Sequence, residues 1–129
     1  MIRISHASVF VADQDKALKF YTEALGFAKK HDIPMGQFRW LTVTSPAGGT
    51  DVELVLEPMA FPPAKVYQKA LYDAEVPLTV FTVDDIQKEY ARLKALGVSF
   101  KAEPKDIGPV ILAMFDDTCG NFIQLVQPK

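Results

Sequence analysis

The feature that most restricts this chain is an internal repeat. Leu25-Gly26 recurs about 71 residues later as Leu96-Gly97, Gly49 as Gly120, and Leu54-Val55 as Leu125-Val126. Ala24/Ala95, Lys30/Lys101 and Leu41/Leu112 follow the same spacing. Two copies are too few for a solenoid, in which each unit is covered by neighbours on both sides. They fit a pseudo-symmetric pair of modules sharing a core or a cleft. The repeat also pairs polar with less polar positions. Glu53 corresponds to Gln124, and His6 to Pro77 or Leu78. A site on the pseudo-twofold axis would therefore be only half equipped.

Each half reads as β-α-β-β-β. Ile2 to Val11 is β-rich and loosely alternating, which predicts a strand. Asp13 can cap a helix from Gln14 to Leu25, with Ala17, Leu18, Tyr21, Ala24 and Leu25 on one face. Gly26 suits its end. Strands are expected at Phe27 to His31, Phe38 to Thr44 and Asp51 to Glu57. A loop at Asp32 to Gly36 and a turn at Ser45 to Gly49 join them. In the second half, strands are expected at Leu78 to Val83, Val98 to Ala102, Val110 to Phe115 and Phe122 to Val126. Asp84 or Asp85 caps a helix with the stripe Ile86, Tyr90 and Leu93, which Gly97 stops. The helix stripes align better at a spacing of 72, so a one-residue gap lies inside the repeat.

The fold class expected is α+β, with two pseudo-symmetric modules whose curved mixed sheets form a shared cleft. One domain spans 1–129, with module 1 at about 1–57, a connector at 58–77 and module 2 at about 78–129. The prolines of Pro58 to Pro63 argue against regular structure there. Lys65 to Ala74 has the spacing of a short amphipathic helix. A connector packed on the sheet is the plain role for this segment; a lid or a subunit contact is the other.

Bulk properties narrow the function classes. The 129 residues are 49% hydrophobic and 23% charged, with a net charge of −2. That balance lacks the basic footprint of a nucleic-acid or anionic-membrane partner. The single cysteine, Cys119, leaves no internal disulfide and no cysteine-rich zinc framework. The first residues do not read as a signal peptide, and no apolar run is long enough to span a bilayer. The expectation is a cytoplasmic protein. Gly48-Gly49 lacks the lysine and helix of a phosphate loop, so no nucleotide cofactor is expected.

The paired modules, His6 before a capped helix, the stretch Asp15-Lys16-Ala17-Leu18-Lys19-Phe20-Tyr21 through Leu25-Gly26-Phe27, and the ending Asp116 to Leu125 resemble the vicinal oxygen chelate superfamily. This is the group of glyoxalase I, bleomycin-resistance proteins and extradiol dioxygenases. The resemblance covers nearly the whole chain. It implies a divalent ion (Zn, Ni, Mn or Fe) between the modules, with ligands from the first and last strands of each. The matching positions are His6, Glu53, Gln124 and the apolar Pro77 or Leu78. Gln124 offers only a carbonyl oxygen, a weak ligand for such ions, and one ligand position is apolar. With one histidine at these positions, a 2-His-1-carboxylate iron site is out of reach, and His31 reads as peripheral.

Glu53 shares a strand face with Asp51 and Val55, which fits either a solvent-facing acid or a cleft residue. In an apolar cleft its pKa would rise, making it a candidate general base. His6 fits a satisfied core histidine as well as a ligand. Arg39 beside Trp40 could hold a planar anion, or be a surface arginine on an edge strand. Phe10, Phe115 and Phe122 are candidate ligand contacts for a small, partly apolar molecule, although most aromatics must serve the core.

Three functions stay open. One is a glyoxalase-like lyase or isomerase, with metal on His6, Glu53 and Gln124 and with Glu53 moving a proton. The second is a metal-free protein sequestering a drug-like molecule. The third is a structural or regulatory homodimer with an occluded cleft. A dioxygenase fits least. The resemblance also implies a homodimer.

Overall fold

A computed structural model describes residues 1–48 and 51–129. The chain forms two compact units, Met1–Lys65 and Val66–Lys129. Each carries one four-stranded mixed sheet with a helix on it.

In the first unit, β1 (His6–Val11) runs parallel to β4 (Glu53–Pro58), followed in the sheet by β3 (Phe38–Thr44) and β2 (Ala28–Met35), in the order β1-β4-β3-β2. Strand β1 is shorter than the sequence suggests: Met1 to Ser5 lie outside it, and Ile2 and Ile4 are exposed. Helix α1 (Gln14–Lys19) is capped by Asp13, whose carboxylate accepts the Lys16 N–H at 3.1 Å. The helix does not continue in α form to Leu25. Phe20–Ala24 form a π-helical turn, in which the Leu25 N–H reaches back to the Phe20 carbonyl. Gly26, at φ 85°, closes it in a conformation that suits glycine. The turn seats Tyr21, fully buried, against Phe27 at 6.3 Å. Val9, Val11, Ala17, Leu41, Val43 and Leu56 complete this core.

Strand β2 overruns the loop expected at Asp32 to Gly36. It continues through Pro34 to Met35, and the turn shrinks to Gly36-Gln37. A proline is tolerated because β2 is the sheet edge, where one ladder N–H is not needed. The turn expected at Ser45 to Gly49 runs into Gly49 and Thr50, outside the described residues.

Helix α2 (Pro62–Asp73) begins earlier than expected. Pro62 and Pro63 do not break it; they occupy its first turn, where the missing N–H is no loss.

In the second unit β5 (Thr79–Thr82) runs parallel to β8 (Phe122–Pro128), then β7 (Val110–Asp116) and β6 (Lys105–Asp106), in the order β5-β8-β7-β6. Asp85 rather than Asp84 caps α3 (Ile86–Ala95). The core gathers Ile86, Leu93, Ala113, Phe115, Ile123 and Leu125. The strand expected at Val98 to Ala102 is reduced to a single bridge, Phe100 to Phe115, and the paired segment is Lys105–Asp106. Pro104, which has no N–H, stands between them and interrupts the ladder. The α+β class and the two β-α-β-β-β modules are present as expected. Among the described residues no helix is long and apolar enough to cross a membrane.

Candidate functional site

Strand alternation sorts the first sheet into two faces. One packs α1. The other carries His6, Ser8 and Phe10 from β1, Glu53 and Val55 from β4, and Trp40 and Thr42 from β3. The register sets His6 opposite Glu53 and Thr42 opposite Val55. His6, Phe10, Trp40 and Glu53, singled out in the sequence, thus share a face.

Glu53 is buried, and its carboxylate is the focus of this face. Oε1 accepts the Thr42 hydroxyl at 2.8 Å and the His31 Nδ1–H at 2.9 Å. Oε2 lies 3.4 Å from His6 Nε2 and 3.7 Å from Lys30 Nζ. Thr42 in turn accepts the His31 backbone N–H at 3.2 Å, so one threonine holds both the histidine and the glutamate. His6 leans on Trp40, with ring centroids 5.8 Å apart and planes at 52°, and its Nδ1 contacts the Ser5 hydroxyl at 2.9 Å.

Two consecutive residues, Lys30 and His31, meet one carboxylate. A regular strand would send them to opposite faces. The ladder between β2 and β3 slips between Lys29 and His31, and the bulge brings both nitrogens to Glu53.

The electrostatics differ from expectation. The Thr42 hydroxyl, then the His31 imidazole, hold the Glu53 carboxyl below its ordinary range. Burial pushes the other way and loses, and the charges of Lys30 and His31 add to the lowering. A carboxylate so stabilised is a firm hydrogen-bond acceptor and a poor base. His31, read as peripheral, is a direct partner of Glu53. Two histidines and a carboxylate do converge, contrary to the one histidine anticipated.

This donor set does not fit a divalent ion. Such an ion needs about three protein ligands with an open position. Glu53 Oε1 is committed to Thr42 and His31, and the Lys30 ammonium stands where an incoming cation would be repelled. His6 Nε2 and Glu53 Oε2 remain, which is too few. Among the described residues no group of three His, Cys, Asp or Glu side chains is placed to hold a metal. Gln124, in the second unit, pairs in register with Val80 and Met114, so its rung brings no other strong donor. Its neighbour on β5, Val80, is apolar.

The other aromatic and cationic candidates lie elsewhere. Arg39 does not accompany Trp40. It points to the opposite face, because neighbours on a strand alternate. There its guanidinium takes both Asp32 oxygens, at 2.9 and 2.8 Å, and pairs with Asp15. Its own pKa is pushed up by Asp32, and Arg39 holds the Asp32 carboxyl below the ordinary range. Arg39 lines a cavity of about 300 Å³ with Asp13, Asp15, Gln37, Phe38 and Met59. Gln14 lies beneath it, donating to the Arg39 and Leu56 carbonyls and accepting the Arg39 N–H. Phe115 is fully buried in the core of the second unit, near Phe100. Phe122 stacks on Tyr72 of α2, with centroids 4.4 Å apart.

The model of the Glyoxalase/Bleomycin resistance protein/Dioxygenase superfamily matches residues 3–125. The chain belongs to this superfamily. The protein YurT of Bacillus subtilis (strain 168) is 56% identical over 126 residues, covering 98% of this chain and 99% of YurT. Two solved structures share 34% identity. UcmS2 superposes with a TM-score of 0.83, covering 98% of each chain. TnmS3, an antibiotic binding protein from Streptomyces sp. CB03234, superposes with a TM-score of 0.78, covering 100% of this chain and 98% of its own. Within the superfamily fold, Lys30, His31 and Thr42 are the site residues that sequence reasoning missed. Thr42 could have been found by alternation from Trp40. The bulge that turns Lys30 inward leaves no sequence signal.

Proposed function

We propose that this superfamily member binds a small, partly aromatic molecule on the module 1 face bearing His6, Phe10 and Trp40, and that it sequesters that molecule without a metal. One observation carries the reading: the Glu53 carboxylate is already satisfied by Thr42 and His31, with Lys30 beside it. That leaves a structured polar group next to an aromatic pair, which is the composition of a small-molecule site. The likeness to TnmS3, an antibiotic binding protein, supports the same class of ligand.

The test is thermal unfolding in chelator-treated buffer against a panel of planar aromatic antibiotics. A true ligand at a hundredfold excess over its Kd raises the unfolding free energy by about 2.7 kcal/mol. Trp40→Ala should abolish the shift. The alternative is a metal-dependent lyase or isomerase with His6, Glu53 and Gln124 as ligands and Glu53 as the base. Stabilisation and turnover that appear only after a divalent ion is added would favour it. A homodimer in the cytoplasm belongs to the same proposal on family habit, and sedimentation of the purified chain checks the oligomeric part.

A further inference from the structure

The misfit between this face and a divalent ion points to what replaces it. Glu53 is the one acidic group among the contacts described for this cluster, and donors surround it: the Thr42 hydroxyl, two imidazoles and the Lys30 ammonium. Once those are paired, the donor capacity left over is chiefly that of Lys30. Lys30 carries three N–H bonds and is about half exposed at the side chain (49%), so Glu53 leaves part of it facing outward. A ligand settling against that ammonium must bring acceptor oxygens. Within this cluster the ammonium and the Glu53 carboxylate cancel; Glu57, the other acid on this face of β4, lies further along the strand, opposite Phe10. The His6–Trp40 pair supplies the aromatic surface alongside.

We propose that Lys30, held by Glu53 through the β2 bulge, is the resident cation of this site and receives the carboxylate or phenolate oxygen of an aromatic acid lying against Trp40. The proposal rests on the ligand-binding reading above and names its ligand class. Glu53 then acts as a positioning residue: it fixes the ammonium in place. A charge-assisted N–H···O bond is roughly twice as strong as a neutral one, so an anionic oxygen is selected over an amide of the same shape.

Trp40 is the chain's one tryptophan and reports on its own surroundings. The probes are 4-nitrobenzoate and 4-nitrobenzamide, titrated separately at pH 7 in chelator-treated buffer. Quenching of Trp40 is followed, with N-acetyltryptophanamide as the collisional control. The expected result is saturable quenching by both, with the acid bound roughly tenfold more tightly. Lys30→Met should erase that preference, and Lys30→Arg should keep it. Equal affinity for acid and amide, or a preference that survives Lys30→Met, overturns the role of Lys30 while leaving the aromatic ligand site intact. Absence of saturable quenching by either probe overturns both readings. Binding of the acid to Lys30→Met that is restored by added Zn would assign the cation role to a metal and likewise overturn the proposal.

Discussion

Lys30 and His31 are neighbours in the chain, yet their side chains approach the same carboxylate, at 3.7 and 2.9 Å from opposite oxygens of Glu53. With the Thr42 hydroxyl, the largest cause, that convergence lowers the acid's pKa. It also commits Oε1 and sets a cation at Oε2, beside an aromatic pair.

The depressed pKa makes a stability prediction with a definite sign. Below about 4.5, its ordinary value, Glu53 in an unfolded chain takes up a proton that the folded protein resists. The stabilisation is therefore fully present above that pH and disappears as pH falls through the lower folded value. Glu53→Gln has no such titration. Urea unfolding of both proteins from pH 7 to pH 2.5 should show the stability gap between them narrowing below about 4.5. A gap that does not change with pH would contradict the network.

Thr42→Val removes the largest cause of the lowered pKa while keeping the shape of the side chain. The Glu53 carboxyl, followed by carbon NMR, should titrate at a higher pH in the variant. His31 should also lose order, because the threonine oxygen accepts its backbone N–H.

Gln14 tests the scaffold rather than the site. Its amide joins α1 to β3 and β4 through three hydrogen bonds. Gln14→Met keeps the volume and strands buried backbone groups, which should cost about 2 to 3 kcal/mol in denaturant unfolding. A loss below about 0.5 kcal/mol would mean that water replaces the amide.

Gly120→Ala should destabilise the second unit by about 1 to 3 kcal/mol, since φ there is 100° and a Cβ would come within 2.6 Å of Gln68 Oε1. Gln68→Ala in the same chain should recover part of that loss, the part due to the collision, and leave the backbone strain.

Arg39→Met should lower stability by about 1 kcal/mol through loss of its pairs with Asp32 and Asp15, and should leave aromatic ligand affinity unchanged. Reduced affinity in calorimetry would return Arg39 to the site.

The sequence revealed the fold more fully than the site, for physical reasons. The repeat, the caps Asp13 and Asp85 and the stop at Gly26 are local signals, and each appears in the structure. Strand alternation was enough to put His6, Phe10, Trp40 and Glu53 on one side. The same alternation separates Arg39 from Trp40, although adjacency in the sequence suggested that they act together. His31 and Lys30 were out of reach because a bulge changes the parity of a strand with no marker residue. Burial alone would push the Glu53 carboxyl up. The hydrogen bonds that outweigh it come from β2 and β3, and their geometry is a tertiary fact. Helix α2 is a smaller case of the same kind: prolines that suggest a break occupy its first turn.

The slip in the ladder between Lys29 and His31 makes residue count, rather than residue type, a determinant of what this face can hold. Excising a single amino acid there would return β2 to regular pleating and swing one of the two nitrogens to the far side, with no change to any other side chain. Relatives sharing the architecture could thus trade one ligand chemistry for another through a three-nucleotide deletion.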